Sequence, residues 1–427
     1  MSTPKLQDIA ACVSGYDPAA LPVAQAQEFI ARLVPRVQAV ESVAIRASLG
    51  RVLARNVVSS IDVPAHDNSA MDGYALRGAD LATGADTVLQ VAGTGFAGGA
   101  AAAVVAPGQC LRIMTGAVMP AGLDTVVPQE FVRVDGERVT VPPGVVRPGD
   151  NRRCRGEDLA RGEPALKAGR ILRPADLGML ASLGQAEVPV FRRLRVAFFS
   201  TGDELRSIGE PLDAGCVYDS NRYTLWAMLQ RLGVELIDMG VVRDEPAALE
   251  AAFREAARCA DAVITSGGVS VGEADHTKQV MKALGDVLFW RIAMRPGRPM
   301  AIGRIGDADR GAILFGLPGN PVAVMVTFYA FVRDALLAMS GATPAPLPML
   351  QAASLGAIRK KPGRTEYQRG IVGRAADGRW QVEITGSQGS GILRSMSEAN
   401  GLVVLGHAQG DVAAGDTVEV LPFDGLV

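Results

Sequence analysis

Histidine and cysteine are scarce in this chain of 427 residues. The three histidines, His66, His276 and His407, are scattered, which argues against a zinc site. The five cysteines, Cys12, Cys110, Cys154, Cys216 and Cys259, are equally dispersed and form no Cys-x-x-Cys pair. Their odd number argues against a disulfide framework and predicts reduced thiols in the cytoplasm. Any bound metal would have to rest on carboxylates, which favour a hard ion such as magnesium. Net charge is also nearly missing, at −2. Bulk attraction to nucleic acid or anionic lipid therefore has no basis, and an anion must be held by a local site. An unbroken apolar run is lacking too. The greasiest stretch, Val322 to Met339, carries Arg333 and Asp334 and predicts a buried helix, not a membrane span. The start, MSTPKLQDIA, has no basic-then-apolar leader pattern. A soluble protein is expected.

The composition is that of a globular protein, 48% hydrophobic and 21% charged, and the length predicts about three or four domains. Val23, Ile30, Leu33 and Val34 predict an early helix face. The stretch from Thr87 to Val141 is rich in Gly, Ala and Val with short β-like runs. It includes an alternating segment, Phe131 to Val141, centred on the hairpin signal Asp135-Gly136. From Arg195 the period changes. Strands are expected at Val196–Phe199, Val234–Ile237 and Ala262–Thr265. Helices are expected after the cap Asp219-Ser220-Asn221, and after a cap at Asp244 with Pro246 in the first turn. Alternating strands and helices predict a three-layer α/β domain with a mainly parallel sheet, which binds ligands beyond the carboxyl ends of its strands. Those ends carry the polar loops Ser200–Glu204 and Ser266–Asp275. Prolines at 344, 346 and 348 mark a linker. The tail predicts a small all-β domain with turns at Asp377-Gly378 and Gly415-Asp416.

The loop from Ser266 to Asp275 is the most informative. Gly267, Gly268 and Gly272 let backbone N–H groups approach an anion, Ser266 and Ser270 add hydroxyls, and Asp275 either caps the next helix or holds a cation. Gly268-Val269-Ser270-Val271-Gly272 matches a hydrolase nucleophile elbow, but the helix does not follow at once, as that motif requires. Gly93-Thr94-Gly95-Phe96-Ala97-Gly98 matches a dinucleotide fingerprint without a surrounding βαβ unit, and is read as a β-turn. Asp67 to Tyr74 is a polar turn-rich run, either solvated or half of a phosphate site. Arg152 to Asp158 interleaves cations with carboxylates, which predicts at least a salt-bridged surface turn. Arg291, Arg295 and Arg298 flank the turn Pro296-Gly297, and Leu317-Pro318-Gly319-Asn320-Pro321 opens a helix whose N-terminus favours anions.

In order, the runs DNSAMDGYA (67–75), TGAVMPAGLDTVV (115–127), GDNRRCRGEDL (149–159), STGDEL (200–205), YDSN (218–221), SGGVSVGEADHTK (266–278), MRPGRP (294–299), LPGNP (317–321), QRG (368–370) and TGSQGSG (385–391) resemble the molybdopterin molybdenumtransferases, relatives of the gephyrin E domain. The resemblance covers nearly the whole chain. It implies an elongated dimerisation region (15–53 and 153–190), an inserted β-rich domain (54–152), an α/β molybdopterin-binding domain (191–340) and a C-terminal β domain (341–427). It further implies a homodimer that takes adenylyl-molybdopterin and molybdate, cleaves the phosphoanhydride with magnesium, and releases AMP and molybdenum cofactor. Molybdopterin adenylyltransferase and molybdoenzymes or their chaperones would be its partners.

On that resemblance Asp67, Thr115 and Asp158 match positions on one side of a shared cleft. Glu204, Asp244 and Asp275 match those of the α/β domain. Pro318 and Pro321 shape the adjacent loop, and Arg369 and Ser390 match C-terminal positions. Asp275 and Glu204 are expected to organise magnesium and phosphates, while Arg295 and Arg298 receive molybdate. Arginine at 291, 295 and 298 stands where relatives often have lysine, Ala323 where many have serine, and Cys154 where a basic residue is common. Adenylyl transfer to molybdopterin is the alternative activity. A non-enzymatic scaffold is the alternative class, and the loop carboxylates argue against it.

Overall fold

The computed structural model describes all residues except 1–5, 7–8, 10–16, 18–19, 100–103, 270–275, 307–310 and 425–427. It divides into two compact units, one made of Met1–Glu41, Gly50–Ala54 and Val190–Val427, the other of Ser42–Leu49 and Arg55–Pro189.

The first unit is built on a six-stranded sheet: β1 (Arg195–Thr201), β2 (Glu235–Val242), β3 (Ala262–Ser266), β4 (Gly285–Arg291), β5 (Pro299–Ile305) and β6 (Ala312–Leu317), in the order β2-β1-β3-β6-β5-β4. The pairs from β2 through β6 are parallel, and β5 runs antiparallel to both neighbours. β1, β3 and β6 are almost wholly buried, so they read as continuous apolar runs rather than alternating ones. Alternation instead decides the face. Val196 and Phe198 pack toward helices Ser220–Arg231 and Pro321–Met339, whereas Ala197 and Phe199 pack toward Pro246–Cys259 and His276–Leu284. The early helix, Val23–Leu33, joins the first face and sets Phe29 edge-on to Trp290 at 4.8 Å. The result is the three-layer α/β domain expected from sequence.

The helix Pro321–Met339 is long and apolar enough to cross a membrane, but it is mostly buried within the fold. A π turn, Phe328–Val332, interrupts it. Asp219 caps its helix as expected, accepting the N–H of Arg222. Asp244 does not. The N-cap of Pro246–Cys259 is Glu245, and the Asp244 carboxylate instead accepts the Thr277 hydroxyl at 3.2 Å. With Pro246 at N1, the helix starts one residue later than a cap at Asp244 requires.

Strands Leu350–Ser354, Thr365–Arg374, Trp380–Ile384, Gly401–Leu405 and Thr417–Pro422 close a five-stranded barrel, because Thr365–Arg374 pairs with both Trp380–Ile384 and Gly401–Leu405. It includes one short helix, Leu393–Glu398. A two-residue strand, Met294–Arg295, adds to the barrel's edge alongside Thr365 and Glu366.

The second unit holds another six-stranded sheet, including the hairpin Arg133–Asp135 and Arg138–Val141. Its two-residue loop is Gly136-Glu137, with Gly136 at φ 58°, so the turn lies one residue beyond the Asp135-Gly136 centre. Gly93 and Gly95 belong to strand Thr87–Gly95, where the register shifts between Val91 and Thr94. That segment is a bulge followed by a turn at Phe96–Gly99, not a β-turn alone.

Candidate active site

The carboxyl ends of β1, β3 and β6 open into a cleft of about 880 Å³. From the β1 loop come Thr201, Gly202 and Glu204. From the β3 loop come Ser266, Gly267, Gly268 and Val269. The turn after Met294 supplies Arg295 to Pro299, and the β6 loop supplies Pro318, Gly319 and Asn320. Asn221, Asp244 and Ala323 add to the floor, and the barrel contributes Arg364, Gln388, Gly389 and Ser390.

The glycines do steric work here. Gly267 sits at φ 95°, and a Cβ on it would lie 2.5 Å from the Thr201 carbonyl oxygen. Gly268, at φ 65°, would press a Cβ into the Thr277 side chain at 2.6 Å. The Gly267 N–H is already spent on the Leu317 carbonyl. The Ser266 hydroxyl pairs with Ser200 at 3.0 Å and receives Asn221 at 3.4 Å. These groups therefore shape the floor of the cleft more than they offer it donors.

Glu204 is different. Its exposed carboxylate makes no hydrogen bond or ion pair with any described residue, and it lies over Gly202, where a Cβ would come within 2.5 Å of Oε2. Asp244 beside it uses one oxygen for Thr277. Among the described residues no three His, Cys, Asp or Glu side chains gather into a ready metal cluster. Two hard oxygen donors with an open neighbourhood fit magnesium, which commonly takes one or two carboxylates and completes its shell with water and phosphate. Asp275, Ser270 and Gly272 lie outside the described residues.

Arg295 and Arg298 line the cleft and are exposed, while Arg291 does not line it. Pro318 lines it, and Pro321 is the first residue of the helix behind it. The first free N–H of that helix, from Val322, donates to the Ser390 carbonyl, which fastens the barrel loop to the helix start. Arg369 is almost wholly buried behind that loop and spends its guanidinium on Ser395 and on the carbonyls of Ser387, Gln388 and Gly389. Among the described residues it touches no carboxylate. Burial, with Arg295 nearby, pushes its pKa down to about 10. Arg369 thus positions the Ser390 loop and adds positive potential from behind it.

Asp67, Thr115 and Asp158 belong to the second unit. Asp67 accepts the Arg155 N–H at 2.7 Å and lies 3.6 Å from Arg152. Thr115 gives both its N–H and its hydroxyl to Asp72, at 2.7 and 2.8 Å, and these bonds hold the Asp72 carboxyl below its usual range. Asp158 is exposed, its N–H bound to the Val63 carbonyl. Cys154 is exposed in the same polar loop. Sequence reasoning missed Asn221, Arg364 and Gln388 as cleft residues. Asn221 and Gln388 sit inside the YDSN and TGSQGSG runs, whereas Arg364 lies outside every such run, and only the closed barrel brings the last two to the strand ends.

Fold and cleft together define the class: an α/β domain whose strand ends are covered by a C-terminal barrel and edged by loop carboxylates and arginines. Residues 21–184 match the family model described as the MoeA N-terminal region (domain I and II), 197–338 a probable molybdopterin binding domain, and 351–423 the MoeA C-terminal region (domain IV). The chain is 40% identical over 404 residues to a molybdopterin molybdenumtransferase of Haemophilus influenzae, covering 94% of this chain and 98% of that protein. A relative of the same name from a Nostoc species is 38% identical, over 92% of this chain and 91% of its own. The crystal structure of a molybdopterin biosynthesis moeA protein from Pyrococcus horikoshii superposes with a TM-score of 0.81 at 28% identity, over 95% of this chain and all of that one. The chain belongs to the molybdopterin molybdenumtransferase family.

Proposed function

We propose that the protein inserts molybdate into adenylyl-molybdopterin, cleaving the phosphoanhydride and releasing AMP and molybdenum cofactor. The observation that carries this reading is a cleft lined both by carboxylate oxygens without a partner among the described residues, on Glu204 and Asp244, and by guanidinium groups on Arg295, Arg298 and Arg364. Glu204 and Asp244 would hold magnesium, with Asp275 as a further ligand. Bound there, the ion neutralises charge growing on the phosphate oxygens as the anhydride opens. Arg295 and Arg298 receive molybdate, a dianion, in the field that Arg369 strengthens from behind. A buried cation without a counter-ion is unfavourable, and an incoming dianion relieves it. The Ser390 loop, fastened to Val322 and propped by Arg369, keeps the oxyanion end in register with the glycine floor.

The working form is a homodimer in which a second copy supplies Asp67, Thr115 and Asp158 to complete the cleft, with segments 15–53 and 153–190 as the dimerisation region. It acts in the cytoplasm, receives substrate from molybdopterin adenylyltransferase, and hands cofactor to molybdoenzymes or their chaperones. The deciding experiment measures AMP release from adenylyl-molybdopterin with magnesium, with and without molybdate. Release that requires molybdate and yields active cofactor sustains the reading. Release that ignores molybdate overturns it.

A further inference from the structure

The α/β domain carries a second cavity, away from the cleft. A groove of about 490 Å³ lies between the last turns of helices Pro246–Cys259 and His276–Leu284, with the end of β5 beneath it. Its floor is apolar and buried, made of Phe253, Ala257 and Ile305. Phe253 is locked edge-on against Phe199 at 5.1 Å, so the floor is stiff. The groove stays open because the residues lining its two helices include Ala257 on one and Ala283 on the other, too small to close it. Arg254 and Arg258 form the rim, and among the described residues no carboxylate lines the groove.

Each arginine gives Nε and Nη2 to a glutamate of its own helix, Arg254 to Glu250 and Arg258 to Glu255. Both glutamates are about half exposed, and exposed pairs of this spacing are weak and screened by salt. Nη1 of each arginine has no partner among the described residues. The Leu284 carbonyl, at the end of the second helix, accepts the Gly306 N–H at 3.1 Å and so presents no bare acceptor to an anion. A dry floor below two guanidinium groups is complementary to a molecule with an apolar body and one anionic end.

The groove is joined to the cleft by the elements that form it. β5 starts at Pro299, in the cleft, and ends at Ile305, in the groove, about 20 Å away at the usual strand rise. The two helices span the same gap. One begins at Pro246, just past Asp244, and the other begins at His276, next to Thr277. The Thr277 hydroxyl donates to the Asp244 carboxylate at 3.2 Å. A ligand wedged between the last turns therefore acts on two rods that meet again at that bond.

We propose that the groove is a regulatory site for a small amphipathic anion, an aromatic or short aliphatic body bearing one carboxylate, sulfonate or phosphate, whose occupancy is sensed at Asp244 through these helices. The site stands on the groove alone. The sensing rests on the functional reading above, in which Asp244 holds magnesium.

The probe is anilinonaphthalene sulfonate, an aromatic body with one sulfonate, titrated by fluorescence into the full-length protein with and without saturating AMP to fill the cleft. The double variant Arg254→Ala, Arg258→Ala should raise the Kd of the AMP-resistant site at least about tenfold, the scale of one lost charge-assisted hydrogen bond. Ala283→Phe, which fills the groove without touching charge, should abolish that site. All three positions are exposed, so the thermal midpoint should stay in place. A Kd unchanged in these variants overturns the site, and so does dye displaced in full by AMP, which would assign it to the cleft. With dye bound, the magnesium concentration for half-maximal AMP release should shift at least about twofold in the wild type and not in Ala283→Phe. An unshifted magnesium dependence overturns the sensing. A wild type without molybdate-dependent AMP release brings down the functional reading, while the dye titration still decides the groove by itself.

Discussion

The carboxylates of the two units live in opposite circumstances. In the cleft of the first unit, Glu204 has no partner among the described residues and Asp244 has one hydroxyl. In the second unit several loop carboxylates are spent, although the exposed Asp158 carboxylate has no partner among the described residues. Asp62 is held by Arg155 and the Arg161 N–H, Asp67 by Arg152 and Arg155, Asp72 by Thr115, and Asp176 by Arg170 and the Arg173 N–H. A spent carboxylate fixes a loop, whereas an unspent one beside an open cleft is available to a ligand. Both kinds occupy Asp- and Glu-rich turns that look alike in sequence, and the partner decides which is which.

The sharpest way to break this contrast is to remove an unspent carboxylate. Glu204→Gln keeps the shape of the side chain and removes its charge. We expect magnesium-dependent AMP release to fall by at least about 100-fold, since a metal's share of charge stabilisation is several kcal/mol. The magnesium concentration for half-maximal rate should rise as well. A variant whose magnesium dependence matches the wild type would show that Glu204 does not hold the ion. Thermal stability should hardly move, because the side chain makes no bond with any described residue.

Next in size is a change in the floor beneath it. Gly267→Ala places a methyl group where the Thr201 carbonyl lies 2.5 Å away, on a backbone with φ 95°. A destabilisation of about 2–4 kcal/mol is expected, measured as a shift in denaturant midpoint. Gly136→Ala in the hairpin serves as the control. Its φ is 58°, but nothing lies within 4 Å of the added Cβ, so its cost should be smaller. Equal losses would mean that backbone strain alone, and not the clash at the cleft, sets the price.

Much of the first unit was legible in the sequence, because its signals are local. Apolar runs marked β1 and β3, the Asp219 cap marked its helix, and Pro321 marked the start of the long one. Asp244 was misread as a cap because a carboxylate one residue before the true N-cap carries the same local signature, and only the arrival of Thr277 from a later helix distinguishes it. The Gly93–Gly98 run was misplaced for a similar reason, since a bulge and a turn want the same glycines until a neighbouring strand fixes the register. Arg364 and Gln388 were not legible at all. They reach the cleft through closure of a barrel between residues 365–374 and 401–405, and through a strand of two residues at Met294–Arg295. Non-local pairing of that kind leaves no periodic trace.

A spent carboxylate predicts the opposite phenotype from Glu204. Asp176 is buried, and burial works to raise its pKa. The Arg170 guanidinium at 2.8 Å and the Arg173 N–H outweigh that, so the net direction is down from the ordinary 3.8. A carboxyl whose folded pKa is depressed contributes stability that is present above its unfolded value and lost as pH falls through the folded one. The window therefore lies below about pH 4. Asp176→Asn should cost about 1–2 kcal/mol at neutral pH, from the lost charge-assisted bond and cap, and should flatten the acid limb of the stability curve. A variant with unchanged stability at pH 7 would show the pair to be idle.

The smallest effect comes from the most exposed spent carboxylate. Asp72 receives two bonds from Thr115, the N–H first and then the hydroxyl, and its carboxyl titrates below 3.8 for that reason. Thr115→Val removes the hydroxyl and keeps the N–H. Because the two bonds act on the same oxygen, losing one should move the Asp72 titration upward only part of the way, a change that carboxyl NMR shifts between pH 2 and 5 can follow. Full recovery to the ordinary value would mean that the hydroxyl alone holds the loop and that the N–H contact forms only when the hydroxyl is present. No change would mean that the backbone bond suffices, leaving the Thr115 hydroxyl free to serve an incoming ligand. The second outcome would move Thr115 from the spent set to the available one, and with it the boundary between the loops that build this protein and those that meet its substrate.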